Sequence, residues 1–472
     1  MPNSETRKSL VLIVSAIALA VLLQYLNFTE VQTASVTVFF TAVMGTILFW
    51  RFRLAIATAG IAILLATKTL NIETLIEFMS ADVILFLIGM MILVALMRKV
   101  GFFESLMIWV VNWTKWDPRK LMAVFAIVSA LSSALVSEVI AILILCAIIL
   151  DICDHLDIDP TKYIIVSVLG ANVGSAATVF GNPVGILIAL RAGLTFEEFI
   201  RWATPMAIIS LGVLIPVVLV FYRKSLLADK KIVEMKLKRG VPAYMRPSQM
   251  ISDKRTFTIA TSIFLVTLAG IVMHGRIEEI LHLEKNSMLL AAALLAASAV
   301  LIVERRDAQN LVEREVDWWN LTFFMMLFSM AGALRYTGVT DVLAGAIFTV
   351  SGGQQVPIMT FVLFFSAILS GFVDNVPLVA AFIPIVQSFS TIGGVNVYPL
   401  WWAMLFGGTL GGNLTIIGST ANIVAIGVLE KRKGILVTFL TWFKIGVITF
   451  LVTVPLVWLM IYLQLPLMEL PK

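Results

Sequence analysis

Apolar stretches separated by short polar ones run the length of the chain, at 9–26, 34–50, 53–69, 82–98, 163–190, 203–222, 256–274, 287–303, 318–335, 400–427 and 436–464. Each approaches the roughly 20 residues a helix needs to cross a bilayer. They predict eleven transmembrane helices. Two further stretches fit a single crossing poorly: 121–152 is interrupted only by Ser137-Glu138, and 357–389 by Asp374-Asn375 and Pro377. As one helix each would be about 48 Å long against about 30 Å of hydrocarbon. Folded in half, each becomes a re-entrant hairpin with a polar tip inside the membrane; two short complete crossings share the same parity and are the alternative. The first run follows Arg7 and Lys8 but has no small-residue cleavage site and leads directly into further spans, so it is expected to be retained.

The pattern also repeats. At one offset of 237 residues, with no gap from 98 to 188, Arg98 pairs with Arg335, Gly101 with Gly338, Ser133 with Ser370, Val139 with Val376, Gly170 with Gly407, Gly174 with Gly411, Thr178 with Thr415 and Gly181 with Gly418. Four of the five glycines in the first stretch meet glycine in the second. That is internal duplication. Spans 82–98 and 318–335 are mates separated by an odd number of crossings, so the repeats are inverted, and one hairpin enters from each side with the tips meeting near the midplane. The expected division is 1–70 as N-terminal spans, partly scaffold, 71–225 as the first repeat, 226–255 as a basic cytoplasmic linker and 256–472 as the second repeat. The first or second span lies outside the repeat.

A second polar break falls inside 163–190 and 400–427. The first carries Asn172, Ser175, Thr178 and Asn182 beside Gly174, Gly181 and Pro183. The second carries Gly411, Asn413, Thr415, Ser419, Thr420 and Asn422. Glycine and proline at such density weaken the helical ladder, and Asn, Ser and Thr satisfy the freed backbone groups. Carbonyls exposed there suit a small cation and N–H groups an anion. Close packing of small residues is the competing reading. The two acids at the hairpin tips, Glu138 and Asp374, are expensive at membrane depth and therefore functional candidates, as proton carriers or cation ligands. A structural acid capping the hairpin N–H groups is the plainer alternative. Arg98 and Arg335 read mainly as interfacial anchors.

At 60% hydrophobic and 13% charged residues, the chain cannot cover a water-soluble globule, so it is an all-α polytopic membrane protein embedded in the lipid bilayer. The net charge of +5 does not point to nucleic acid, because the basic residues sit in particular loops. Residues 223–255 hold ten Lys or Arg against three acids, which places that loop in the cytoplasm. Arg51 and Arg53, the group from Arg98 to Lys120, Arg305 and Arg306, and Lys431 to Lys433 then share that side. The N-terminus is expected inside and the C-terminus outside. Cys146 and Cys153 stand about 10 Å apart along one helix, beyond disulfide reach. His155, His274 and His282 have no ligand spacing, so no metal cluster, hydrolase triad or enzyme active site is expected. A channel is the rival outside the transporter class.

The stretch Asp82-Val83-Ile84-Leu85-Phe86-Leu87-Ile88-Gly89-Met90-Met91, the tip Asp374-Asn375-Val376-Pro377 and the run Gly411 to Asn422 resemble the ion transporter superfamily: arsenite permeases, D-type sodium/proton antiporters, the melanosomal P protein and divalent-anion/sodium symporters. The resemblance covers most of the chain. It implies an inverted-repeat homodimer with a scaffold and a mobile transport domain, coupled to H+ or Na+ and needing no other cofactor. For an arsenite-type member it also implies a cytoplasmic ATPase partner. The N-terminal half departs from the pattern, with Ser137-Glu138 where arsenite-permease-like relatives carry an acid followed by Asn, and Gly185 opposite Asn422. The Ser-Asn-Thr tips of the dicarboxylate symporters are absent.

These features lead to a secondary active transporter of the cytoplasmic membrane that moves a small inorganic ion or neutral hydroxide by alternating access. The arsenite or antimonite permease comes first, a sodium/proton antiporter second and sodium-coupled anion or carboxylate uptake third. Glu138 or Asp374 is the expected proton carrier, with Asn375, Asn413, Thr415 and Asn422 as site ligands and sodium expected at Asp374, Asn375 and Asn413. No Lys or Arg lies among the polar breaks, which disfavours a polyanion such as citrate.

Overall fold

A computed structural model describes residues 2–238, 251, 253–392 and 394–468. The described residues are helical, with no strand among them. Eight of their helices are long and apolar enough to cross a membrane, including Glu5–Tyr25, Glu30–Leu48, Ala81–Lys99, Lys254–Val272 and Phe439–Leu467. Shorter apolar helices stand beside them, among them Ser287–Val303, which matches an expected run, and Val339–Val350, which lies outside all of them. Part of the expected 226–255 linker, with Arg239 and Arg246, lies outside the described residues. Its first part continues a basic helix, Arg223–Lys238.

The duplication seen in the sequence is built into the packing. Pro118–Leu135 and Glu138–Leu156 form the first hairpin, and Gln355–Ser370 and Asn375–Phe389 the second. The expected broken helices follow: Thr161–Ser175 then Pro183–Ala192, and Tyr398–Gly411 then Thr420–Lys433. In each repeat the leading hairpin arm packs against the first half of its broken helix. An added Cβ on Gly174 would collide with the Ala130 carbonyl, and one on its mate Gly411 with the Ala367 carbonyl, which is itself the mate of Ala130. Thr178 Oγ1 donates to the Ala134 carbonyl, and Thr415 Oγ1 to the Gly371 carbonyl, again mate for mate. Gly101 and Gly338 both take left-handed φ, +78° and +75°, just before helices Phe102–Trp113 and Val339–Val350, a turn that glycine makes without Cβ strain.

The helices that lead in the chain to the mated spans Ala81–Lys99 and Trp318–Tyr336 cross over. Glu30–Leu48 and Arg53–Ala66 pack on Trp318–Tyr336 of the second repeat, while Lys254–Val272 and Ser287–Val303 pack on Ala81–Lys99 of the first. Pro2–Tyr25 is left without such a counterpart among the described residues.

By length, the first hairpin's arms, 18 and 19 residues, could each cross a bilayer. The second hairpin's arms have 16 and 15 residues. The two tips meet inside the molecule at their acids: Glu138 and Asp374 are 3% and 6% exposed, and Asn375 bonds Glu138 across the repeats, although Phe372 of the second turn is exposed.

Candidate functional site

Four helices begin at one place. Ser137 and Asp374 precede the returning hairpin arms, and Asn182 and Ser419 precede the second halves of the broken helices. Asn182 caps its helix by accepting from Gly185 N at 2.8 Å, with Pro183 at the first position, and Ser419 accepts from Ala421 N at 3.2 Å. Each helix N-terminus carries about half a positive charge, so four of them supply roughly two, which the two carboxylates offset. The site holds this balance without a Lys or Arg at the tips.

Glu138 Oε1 accepts from Asn375 Nδ2 at 3.3 Å and from Ser419 Oγ at 3.2 Å. Glu138 and Asn375 stand 237 residues apart, so the repeat's pseudo-twofold axis passes between them. Oε2 of Glu138 is buried with no hydrogen-bond partner. Asp374 Oδ2 accepts from Thr420 Oγ1 at 2.5 Å, and its Oδ1 is likewise buried and unpartnered. A cavity of about 280 Å³ reaches Ser137, Glu138, Asn375 and Thr420, with Arg98, Arg314, Glu315, Asp317 and Asn320 along its walls. Glu138 is thus open to it, whereas Asp374 sits one residue back, behind Thr420.

The other expected site residues form the frame behind these. Asn172 Nδ2 donates to Asn413 Oδ1 at 2.8 Å and to Asn422 Oδ1 at 3.1 Å, joining the two broken helices where they cross. Asn422 Nδ2 donates at 2.8 Å to the carbonyls of Gly412 and Thr415, groups freed by the break. Asn182 Nδ2 donates to Ser175 Oγ at 2.8 Å, and Ser175 donates to the Asn172 carbonyl. With Thr178, Thr415 and Gly411 already engaged in packing the repeats, the structure brings Ser137, Glu138, Asn375 and Thr420 to the cavity, with Asp374 and Ser419 beside it. Among the described residues no group of three or more His, Cys, Asp and Glu is placed to hold a metal.

Sequence reasoning passed over the walls. Arg98, expected as an interfacial anchor, pairs with Glu315, and both residues line the cavity. Arg53, expected in a cytoplasmic loop, is 5% exposed, lies over the Trp50 ring at 3.8 Å and donates to Asn320. The Arg-Trp proximity in sequence was the available signal; Asn320 is reached only through the fold.

The sequence matches the citrate transporter family over residues 43–407 and 336–470. An uncharacterised transporter of Mycobacterium tuberculosis is 33% identical over 386 residues, covering 81% of this chain and 86% of the relative. The human P protein is 25% identical over 440 residues, 80% of this chain and 52% of that protein. Two solved transporters share the fold at 12% identity: YdaH of Alcanivorax borkumensis, with a TM-score of 0.57 over 84% of this chain and 87% of that one, and MtrF of Neisseria gonorrhoeae, with 0.53 over 87% and 85%.

Proposed function

Since this chain belongs to the citrate transporter family of membrane transporters, we propose that it is a secondary active transporter that moves a small inorganic solute across the cytoplasmic membrane by alternating access, coupled to H+ or Na+. The observation that carries the reading is Glu138: a buried carboxylate with one free oxygen, at the floor of a cavity, on the axis relating two inverted repeats. Such a group can take a proton or face a cation from one side and, by the symmetry, be presented to the other.

The charge balance favours a neutral hydroxide of the arsenite or antimonite kind, exchanged against a proton at Glu138. A citrate trianion would meet two carboxylates with no Lys or Arg at the tips. The oxygen set of Glu138, Ser137 and Asn375 is also of the type hard cations prefer, which supports sodium/proton exchange as the second reading. Sodium-coupled anion uptake comes third. A homodimer, an inside N-terminus and an outside C-terminus belong to the same proposal.

The test is purified protein in liposomes with an internal pH dye, given sodium alone and then arsenite or antimonite. Proton movement only on adding the metalloid is the expected result; proton movement with sodium alone makes the protein a sodium/proton antiporter. Glu138→Gln and Asp374→Asn, each nearly isosteric, are expected to abolish coupled flux while leaving the melting temperature close to that of the parent. Undiminished coupled flux in Glu138→Gln would falsify the role given to that carboxylate.

A further inference from the structure

The cavity at Glu138 has a counterpart. Its wall residues Met91, Val94, Ala95 and Arg98 map, at the offset of 237, onto Phe328, Ala331, Gly332 and Arg335, and these line a second cavity of about 480 Å³. Inverted repeats turn the two towards opposite faces. They differ in depth. The first touches both hairpin tips, whereas the second ends on Leu187, Ala380, Ile383 and Pro384 and reaches no tip residue. Mated positions carry the same difference: Leu143 is 38% exposed and Ala380 5%. Val139 and Ile140 are partly exposed, while Val376 and Pro377 are buried.

A polar network ties the walls of the shallow cavity together. Arg191 donates through both terminal nitrogens to the two Asp82 oxygens, at 2.9 and 3.0 Å, the two-point geometry in which a guanidinium binds a carboxylate best. Gln387 Nε2 donates to the Arg191 carbonyl at 3.3 Å, and Gln387 Oε1 accepts from Arg335 at 3.2 Å. Four helices are thereby joined: Ala81–Lys99, Pro183–Ala192, Trp318–Tyr336 and Asn375–Phe389. The mates of Asp82, Arg191 and Gln387 are Trp319, Val428 and Leu150, which cannot build the same network. The deep cavity has its own pair, Arg98–Glu315, exposed to a similar degree as Asp82–Arg191, but it lies on a wall and leaves the floor at the tips within reach.

We propose that Asp82, Arg191, Gln387 and Arg335 form a one-sided latch that keeps the cavity on the Arg335 side from extending to the hairpin tips, so that the tips are reached from the Arg98 side. The proposal rests on the alternating-access reading, and its test needs no transported solute. Leu143→Cys and Ala380→Cys are single reporters at mated positions. Each is labelled in membranes made permeable to a water-soluble maleimide, with the buried native Cys146 and Cys153 giving the background in the protein without a reporter. Asp82→Asn or Arg191→Gln is expected to raise labelling at Ala380→Cys by about two- to fivefold, the range a partly exposed charge pair supports, and to lower it at Leu143→Cys. The exchanged pair, Asp82→Arg with Arg191→Asp, is expected to bring both back towards the starting values. Unchanged labelling at both reporters in the two single variants overturns the latch, and so does an equal rise at both, which is general loosening. Either result leaves the liposome assay of Glu138 to decide the functional reading separately.

Discussion

Two acids that look equivalent along the chain occupy unlike places in the fold. Glu138 faces the cavity and is shared between the other repeat's tip and Ser419; Asp374 is held by Thr420 and stands behind it. The difference arises because the mate of Glu138 is Asn375 and the mate of Asp374 is Ser137, so each repeat brings its acid at a different position of the same turn. Asn172 shows the cost of the frame that holds them. Truncating it to Ala leaves the buried Asn413 and Asn422 oxygens without their donor, at about 1–3 kcal/mol for the group left unsatisfied. Asn172→Ala is therefore expected to lower the melting temperature measurably, unlike Glu138→Gln. Equal melting temperatures for the two variants would remove the asparagine cluster from the frame.

At the scale of elements, the breaks serve approach as much as binding. Gly174 and Gly411 let one helix lie against the carbonyl row of the hairpin arm beside it, where an added Cβ would collide with a main-chain oxygen that cannot move aside. Gly174→Ala and Gly411→Ala are expected to destabilise by about 1–3 kcal/mol through overpacking, against the usual gain from Ala in a helix. Gly427, in the helix Thr420–Lys433, has nothing within 4 Å of an added Cβ, so Gly427→Ala is expected to be neutral or slightly stabilising. Thermal unfolding of the three variants in detergent distinguishes these outcomes. The glycine pairs were visible from the duplication itself, but which of the polar residues between them bond the frame and which reach the cavity was not. Side-chain type is the same in both roles, and only the hydrogen-bond partners, residues up to 250 positions away, separate them.

For the whole molecule, the asymmetry between the cavities is what a strict repeat would not have. Identical halves would place both hairpin tips equally deep; here mated positions differ in exposure, and the Asp82–Arg191 pair has no mate. Sodium-free and sodium-loaded protein labelled at Leu143→Cys and Ala380→Cys is expected to differ if the coupling ion binds at the tips, with exposure moving in opposite directions at the two reporters. Parallel movement at both, or none with sodium or with a pH change, argues against an ion acting through the tips.

The sequence by itself determined the membrane class, the inverted duplication, both hairpins and both broken helices, because apolar run length, glycine and proline spacing and a fixed offset are local or periodic properties. It also singled out Glu138 and Asp374, since a charge in an apolar run is conspicuous wherever the fold takes it. Only the tertiary structure decided that Glu138 faces the cavity and Asp374 does not, that Arg98 lines a wall, and that one of two mated cavities stops short of the hairpin tips. Each of those depends on which distant helices meet, and packing between segments separated by hundreds of residues leaves no periodic trace along the chain.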